Sequence, residues 1–337
     1  MTADTTARRR ILRTGVIVAA SLCAGLAVGQ TAQREDSDYP RQPVRLIVAF
    51  PAGAGADLTA RVVAQKMGES MGQPVVVENR PGANGSVAAA AVAKSAPDGY
   101  TLLLIDRGGL GINPHLYKQP QYDPLKDFAY VSIVTWGPYV LVTNAEVPAK
   151  TFADYVKLAK ASPGKLNYAS FGVGSMAQLN VEALNRSLGI KVTHVPYKGG
   201  APAATAVAAH EVDMTVATAP GVLGFIKDGR MRALAIGSSK RSPLLPDVPT
   251  VAEVGIAADV LLPTYFGIAA PAGTPPAIVA KLQAEIRKAV AMPDVAERLV
   301  NAGLDPHGGT PAEMAQTVRS DVARFGDLVK AIGIQPE

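Results

Sequence analysis

Two short loops of small residues are the strongest candidates in this sequence for binding a ligand. Residues 51–57 read Pro-Ala-Gly-Ala-Gly-Ala-Asp, and residues 170–175 read Ser-Phe-Gly-Val-Gly-Ser. Each loop follows an apolar stretch typical of a buried strand and precedes a helical pattern. Backbone N–H groups converge in such a loop at the positive end of a helix dipole, where anions bind. We therefore predict two anion-binding loops, although glycine-rich turns are also common where nothing binds.

Polar side chains near these loops add weaker signals. Ser170 and Ser175 bring hydroxyl donors, and Asp57 has the chemistry of a general base, although a carboxylate there more often caps the helix. An acid–base pair of Asp57 with His194 is conceivable, but no sequence feature brings the two together. The sequence holds four histidines without metal-ligand spacing, so we predict no metal: His115, His194, His210 and His307.

Several enzyme and cofactor signatures fail in this sequence. Leu58 stands where a dinucleotide fingerprint needs its third glycine, and no Gly-Lys-Ser or Gly-Lys-Thr phosphate loop occurs. No Gly-x-Ser-x-Gly nucleophile motif is present either. The single cysteine, Cys23, lies in the leader and cannot serve a mature active site. We therefore predict no cofactor and no catalytic residue.

The first 29 residues have the order of an export signal. Arg8-Arg9-Arg10-Ile11-Leu12-Arg13 is basic and is followed by an apolar run too short for a confident membrane span. Twin-arginine and ordinary secretory export both fit. Leu22 stands before Cys23 where a lipoprotein signal needs a small residue. We predict a signal peptide at 1–29, a linker at 30–39 and a periplasmic mature protein.

Charge and patterning limit the partners and the fold. The chain has 33 basic and 28 acidic residues, and removing the leader leaves 29 and 27. Basic residues are scattered, so no nucleic-acid surface is predicted. Strand-like and helical patterns alternate, which predicts parallel sheets covered by helices, and the pattern recurs on both sides of about Tyr139. Thr151, Thr274 and Thr310 are predicted helix caps.

The chain resembles the substrate-binding proteins of tripartite tricarboxylate transporters, the Bug receptor family, from about residue 39 to 334. The stretches that carry the resemblance include Val77-Glu78-Asn79-Arg80-Pro81-Gly82-Ala83, Ala96-Pro97-Asp98-Gly99-Tyr100-Thr101, Tyr122-Asp123-Pro124-Leu125-Lys126-Asp127-Phe128, His194-Val195-Pro196-Tyr197-Lys198-Gly199 and Leu245-Pro246-Asp247-Val248-Pro249-Thr250. Each stretch is weak alone, and their ordered succession is specific.

The resemblance implies an α/β two-lobed fold like the type II periplasmic binding proteins. Lobe 1 would span 40–140 plus 264–337 and lobe 2 would span 141–263, with crossing strands near Leu141 and Gly267 as the hinge. The two loops would hold a carboxylate between the lobes, and a monomer would deliver it to membrane transporter subunits. The ligand-binding residues expected from both arguments are Phe50, Ala52, Gly53, Ala54, Gly55, Asp57, Arg107, Ser170, Phe171, Gly172, Gly174, Ser175, Gln178, Ala217 and Thr218.

Departures from the family pattern concern the ligand. The first loop reads Gly53-Ala54-Gly55-Ala56-Asp57, where the family often has three consecutive glycines and a threonine, so extra methyl groups narrow it and a hydroxyl is lost. Gln178 replaces a frequent histidine, and Ala217 stands where an acidic residue is common. Asp106 and Arg107 replace small polar residues.

Losing an acid at 217 and gaining Arg107 predicts a more positive site. A dicarboxylate, an aromatic acid or a hydroxy acid then becomes a better ligand than an amino acid, and Arg107 could clamp a second carboxylate bidentately. Alternatively, Arg107 pairs with Asp106 or points into solvent.

Two other functions share this fold and stay open at this stage. A receptor that presents its ligand to a membrane sensor kinase would have the same binding chemistry. An enzyme would need a nucleophile or an acid–base pair between the lobes, and the sequence signals none.

Overall fold

The computed structural model describes residues 39–53, 55–257 and 260–336. The predicted signal peptide at 1–29, the predicted linker up to residue 38, and Ala54 in the first loop therefore lie outside the described residues. Within these ranges no helix has both the length and the apolar composition needed to cross a membrane.

The described strands form two separate sheets. The first contains β1 (Val44–Val48), β2 (Val75–Asn79), β3 (Thr101–Asp106), β4 (Phe128–Gly137), β10 (Thr264–Pro271) and β11 (Asp305–Pro306), and the second contains β5 (Tyr139–Asn144), β6 (Asn167–Ser170), β7 (Thr193–Pro196), β8 (Met214–Thr218) and β9 (Met231–Ile236). The strand orders are β11-β4-β10-β3-β1-β2 and β7-β6-β8-β5-β9.

Both sheets are mixed, so the prediction of parallel sheets was wrong in part. Strands β1, β2 and β3 are parallel, as are β6, β7 and β8. Strand β10 is antiparallel to β3 and β4, and β5 is antiparallel to β8 and β9. The reason is that the chain enters β5 and β10 directly from the other sheet. Within the described residues no helical crossover lies before these strands, and such a crossover is what makes consecutive strands parallel.

The chain passes between the sheets at two places. One passage is Pro138, between β4 and β5, slightly before Leu141, which itself lies inside β5. The other passage is the segment 237–263, which leads into β10. Gly267 lies within that strand, paired with Ile105 and Ile133. Two passages side by side are the connection that a two-lobed binding protein requires.

Helices cover the sheets. They are α1 (Gly55–Met71), α2 (Ser86–Ala93), α3 (Arg107–Gly111), α4 (Phe152–Ala161), α5 (Met176–Leu188), α6 (Gly200–Ala208), α7 (Ala219–Lys227), α8 (Pro276–Ala291), α9 (Pro293–Asn301) and α10 (Pro311–Ala331), with 3-10 turns at Ala83–Gly85 and Asn113–His115. Thr151 and Thr310 begin α4 and α10 with full capping boxes, as predicted. The cap predicted at Thr274 was wrong, because Pro275 precedes α8 and the Thr274 hydroxyl donates to the Pro271 carbonyl.

The C-terminal helix α10 contributes to the cores of both sheets. Met314 and Val318, in its first half, pack in the core that contains β1 and β3. Phe325 and Val329, in its second half, pack in the core formed by α4, α5 and the second sheet. Helix α10 is therefore a third connection between the two halves of the structure, beside the two chain passages.

Candidate ligand-binding site

The first loop is held in place by Asp57, in the first turn of α1. This buried carboxylate accepts hydrogen bonds from the Gly53 N–H (2.9 Å), the Asn79 amide (2.9 Å) and the Arg61 Nε (3.0 Å). Burial raises the pKa of Asp57, but the hydrogen bonds from Arg61, Gly53 and Asn79 outweigh it and lower the pKa overall. Asp57 is thus an ionised group whose oxygens organise the loop, which leaves it poorly suited to act as a general base.

Backbone groups and aromatic rings form the rest of the first loop. Gly53 adopts a left-handed conformation (φ 84°), and a Cβ at Gly55 would lie 3.4 Å from the Phe266 ring. The Phe50 ring meets Phe266 edge to face at 6.2 Å, and Ala52 is exposed. Because Gly55 and Ala56 open α1, their N–H groups have no partner within the helix.

The serine hydroxyls of the second loop are used inside the loop. Ser170 Oγ donates to the Gly172 carbonyl (3.1 Å), and Ser175 Oγ donates to the same carbonyl (2.7 Å). Ser175 Oγ also accepts from the Gln178 N–H (3.4 Å) and so caps α5. The prediction that both hydroxyls are ligand donors was therefore wrong, since their hydrogens are spent on shaping the loop.

Gln178 and His194 complete this internal network. Gln178 Oε1 accepts from the Gly174 N–H (2.7 Å), and its amide nitrogen lies 3.3 Å from His194 Nδ1. His194 Nε2 lies 2.6 Å from Ser170 Oγ, and its ring stacks on Tyr168. A neutral imidazole protonated on Nε2 satisfies all these contacts. Sequence reasoning missed this role of His194, which becomes visible only when β7 is paired with β6.

The pKa of His194 is lowered because burial disfavours the charged imidazolium, against a smaller opposing effect of Glu182. A neutral His194 lets the Gln178 amide donate to Nδ1, as the network requires. Within the described part of the chain, His194 has no contact with Asp57, so the acid–base pair considered from the sequence is not formed.

The second sheet brings two further predicted residues to the same edge. Ala217 is buried in the core beneath β8. Thr218 is half-buried at the start of α7, and its hydroxyl makes no capping bond. Tyr139 lies directly opposite Thr218 in the strand pairing, and its ring contacts Phe171 at 6.5 Å. The second loop therefore adjoins β5 and the first loop adjoins β10, on either side of the passages between the sheets.

Arg107 does not point towards a ligand. Its Nε and Nη2 donate to the two carboxylate oxygens of Asp321 in α10 (2.9 and 2.7 Å), and Nη1 donates to the Pro263 carbonyl (2.6 Å). The guanidinium also lies 5.7 Å from the ring centres of Trp136 and Tyr265. The clamp hypothesis was wrong because the bidentate face is already occupied, and the alternatives, pairing with Asp106 or pointing to solvent, were wrong too.

Two sheets joined by two passages, with glycine-rich loops where strands lead into helices, form the two-lobed α/β fold seen in periplasmic binding proteins of type II. Among the described residues, no group of histidine, cysteine or acidic side chains could hold a metal ion.

The comparisons with known proteins agree with this class. Residues 59–334 match the tripartite tricarboxylate transporter family receptor, TctC. The periplasmic binding protein BugD is 32% identical with a TM-score of 0.74, over 89% of this chain and 100% of BugD. Rpa4515 of R. palustris with adipate is 33% identical (TM-score 0.77, 89% and 100% covered). MatC of Rhodopseudomonas palustris with bound malate is 34% identical (TM-score 0.72, 86% and 100% covered).

The chain belongs to the TctC family of tripartite tricarboxylate transporter receptors. The resemblance to the Bug receptors read from the sequence motifs is thereby confirmed.

Replacing one partner of the Arg107–Asp321 pair should be costly. Arg107→Met or Asp321→Leu leaves an uncompensated charge in a site less than a tenth exposed, so the free energy of unfolding should fall by about 3–5 kcal/mol. The double variant should recover most of this loss and leave carboxylate affinity unchanged. Urea denaturation and calorimetric titration measure the two effects. A stable double variant with greatly reduced affinity would reinstate a role for Arg107 in binding.

The His194 network should make stability depend on pH. The folded protein holds the pKa of His194 below its ordinary value, so the unfolded chain takes up this proton first as the pH falls. The stabilising contribution is complete above about pH 6.5 and is lost as the pH falls through the folded pKa. The difference in unfolding free energy between the native protein and His194→Asn should therefore shrink from pH 7.5 to pH 5. A constant difference would show that His194 does not titrate as described.

Proposed function

We propose that this protein is an exported receptor that captures a small organic carboxylate between its lobes and delivers it to a tripartite tricarboxylate-type membrane transporter. The observation that carries the proposal is that side chains fix both strand-to-helix loops from within, and that each loop leads into a helix whose first N–H groups have no intrahelical partner. The loops belong to different sheets, so one ligand bound to both would join the lobes.

The available donors lie in the first turns of two long helices. Gly55 and Ala56 open α1, which has 17 residues, and Met176 and Ala177 open α5, which has 13 residues. N–H groups in a first turn lack intrahelical partners and lie at the positive end of the helix dipole. An anion is the ligand that satisfies both properties, and a carboxylate can accept several N–H groups at once.

The predicted site residues divide into two sets in this proposal. Residues that contact the ligand are Phe50, Ala52, Gly53, Ala54, Gly55, Phe171, Gly172, Gly174 and Thr218. Residues that hold the loops in place are Asp57, Ser170, Ser175, Gln178 and the buried Ala217. The adipate and malate named in the structures of Rpa4515 and MatC support a carboxylate as the ligand class.

The lobes, the compartment and the partner complete the proposal. We take 40–140 with 264–337 as one lobe and 141–263 as the other, which keeps each sheet almost entirely within one lobe. Export through the signal at 1–29 would place the receptor in the periplasm, where BugD is a binding protein. The membrane partner is inferred from the family of receptors to which the chain belongs.

Charge at the tip of the second loop should control affinity. Val173 is 62% exposed between Gly172 and Gly174, so a longer side chain there needs no repacking. Val173→Glu should weaken binding of malate or adipate roughly tenfold by like-charge repulsion. Titration calorimetry at low salt measures the effect, which should shrink at higher ionic strength.

Val173→Gln is the matched control, because glutamine has nearly the same shape as glutamate but carries no charge. It should keep the native affinity, and Val173→Lys should equal or exceed it. Equal affinities for the Glu and Gln variants would mean that the second loop does not hold the anion. No binding by any acid in a panel of mono-, di- and tricarboxylates would reject the proposed ligand class.

Transport and sensing can be separated in the living cell. Deleting the receptor should abolish uptake of the radiolabelled carboxylate that the purified protein binds. Genes that respond to this acid should still be induced in the deletion strain when the acid is supplied inside the cell. Normal uptake with lost induction would instead assign the receptor to a sensor kinase.

A further inference from the structure

Asp106 lies at the edge of the first sheet that bears the candidate site. It is the last residue of β3, the strand beside β1, and it pairs across the sheet with Phe266. Phe266 is the ring that contacts Phe50 and lies beside Gly55 in the first loop. Asp106 as a whole residue is half-buried. A carboxylate thus stands next to a loop that is built to attract anions.

Among the described residues, no cation neutralises this carboxylate. Its hydrogen bonds come from backbone N–H groups of its own turn, with the Gly109 N–H at 2.8 Å. Across residues 39–53, 55–257 and 260–336, no lysine or arginine lies within ion-pair distance of it. The neighbouring Arg107 is turned away towards Asp321. Burial without a counter-ion raises the pKa of Asp106 to about 6.

A second polar group, the Tyr139 hydroxyl, lies close enough to Asp106 to be affected by its charge. Tyr139 is only 5% exposed, and among the described residues its hydroxyl makes no hydrogen bond. That oxygen is not fully enclosed, unlike the hydroxyl of Tyr265, so it borders open space. Burial, and then the nearby charge of Asp106, raise the pKa of Tyr139. Solvent can therefore reach the Tyr139 hydroxyl, and a ligand group that replaces this solvent can hydrogen-bond to it.

We propose that Asp106 and the Tyr139 hydroxyl recognise a hydrogen-bond donor that the ligand carries in addition to its carboxylate. The ionised Asp106 accepts from that donor, and the tyrosine hydroxyl can donate to the ligand in return. The inference rests on the proposed function and narrows it from carboxylates in general to hydroxy or amino carboxylates.

This inference reverses the charge argument made from the sequence. Arg107 was expected to make the site positive, but its charge is consumed by Asp321, so the charge that Asp106 adds is negative. A second carboxylate on the ligand gains nothing at that position, whereas a hydroxyl or an ammonium group completes Asp106. The structure therefore favours a ligand whose polar substituent lies close to its carboxylate.

Three acids with the same four-carbon skeleton form the test. Succinate, malate and aspartate carry hydrogen, hydroxyl and ammonium at the same carbon, and their dissociation constants are measured by calorimetry at pH 7.5. The native protein should bind malate or aspartate roughly tenfold or more tightly than succinate, as expected for a hydrogen bond to a charged group. Preference for malate identifies a hydroxyl donor, and preference for aspartate identifies an ammonium.

Asp106→Asn and Tyr139→Phe are the decisive variants. Asparagine still caps α3, so Asp106→Asn should fold and abolish the preference over succinate, while succinate affinity should rise because a like charge is removed from the site. It should also raise the melting temperature at pH 7.5, because the raised pKa means that the ionised carboxylate destabilises the fold. This gain should disappear towards pH 4, where Asp106 is protonated. A purely structural aspartate would lower the melting temperature instead.

The outcomes separate the two proposals. Equal affinity for all three acids, or a preference that survives in Asp106→Asn, overturns this inference and leaves the carboxylate receptor intact. Failure of every acid in the wider panel overturns the proposed function and this inference with it. Tyr139→Phe should reduce the preference over succinate less than Asp106→Asn does. If the Tyr139→Phe variant keeps the native preference, Tyr139 takes no part in recognising the ligand.

Discussion

The buried ion pair between Arg107 and Asp321 is the interaction on which the arrangement around the site depends. It joins the end of β3 to the C-terminal helix across 214 residues of sequence, and the bond to Pro263 adds the passage into β10. Two buried charges gain little net stability over well-packed apolar residues, but they define a single arrangement of three elements. Because Arg107 is fully engaged there, Asp106 beside it keeps a negative charge without compensation.

The two loops follow a common physical design. In each, side-chain oxygens accept or donate within the loop, through Asp57 in one and through Ser170, Ser175 and Gln178 in the other. The loops are thus set before a ligand arrives, and the helices that follow them begin from fixed positions. Such preorganisation lowers the entropic cost of binding, since little chain remains to be ordered.

Local patterns predicted the parts of this molecule that local physics controls. The helix caps at Thr151 and Thr310 and the two strand-to-helix loops could be predicted from neighbouring residues. The direction of the Arg107 side chain could not, because its partner is distant in sequence and any of several acids was equally plausible. The use of Ser170 depended likewise on His194, which reaches it only through the pairing of β6 and β7.

The position of β10 has a consequence for how the chain folds. This strand lies between β3 and β4 in the first sheet, yet it begins at residue 264, after the entire second sheet has been formed from the chain between them. Residues up to 137 therefore cannot complete their own sheet, because β3 lacks its neighbour β10 and β4 lacks both β10 and β11. An N-terminal fragment would expose these strand edges, which attract other chains. High contact order of this kind slows folding, because the first sheet can be completed only after the last third of the sequence is available.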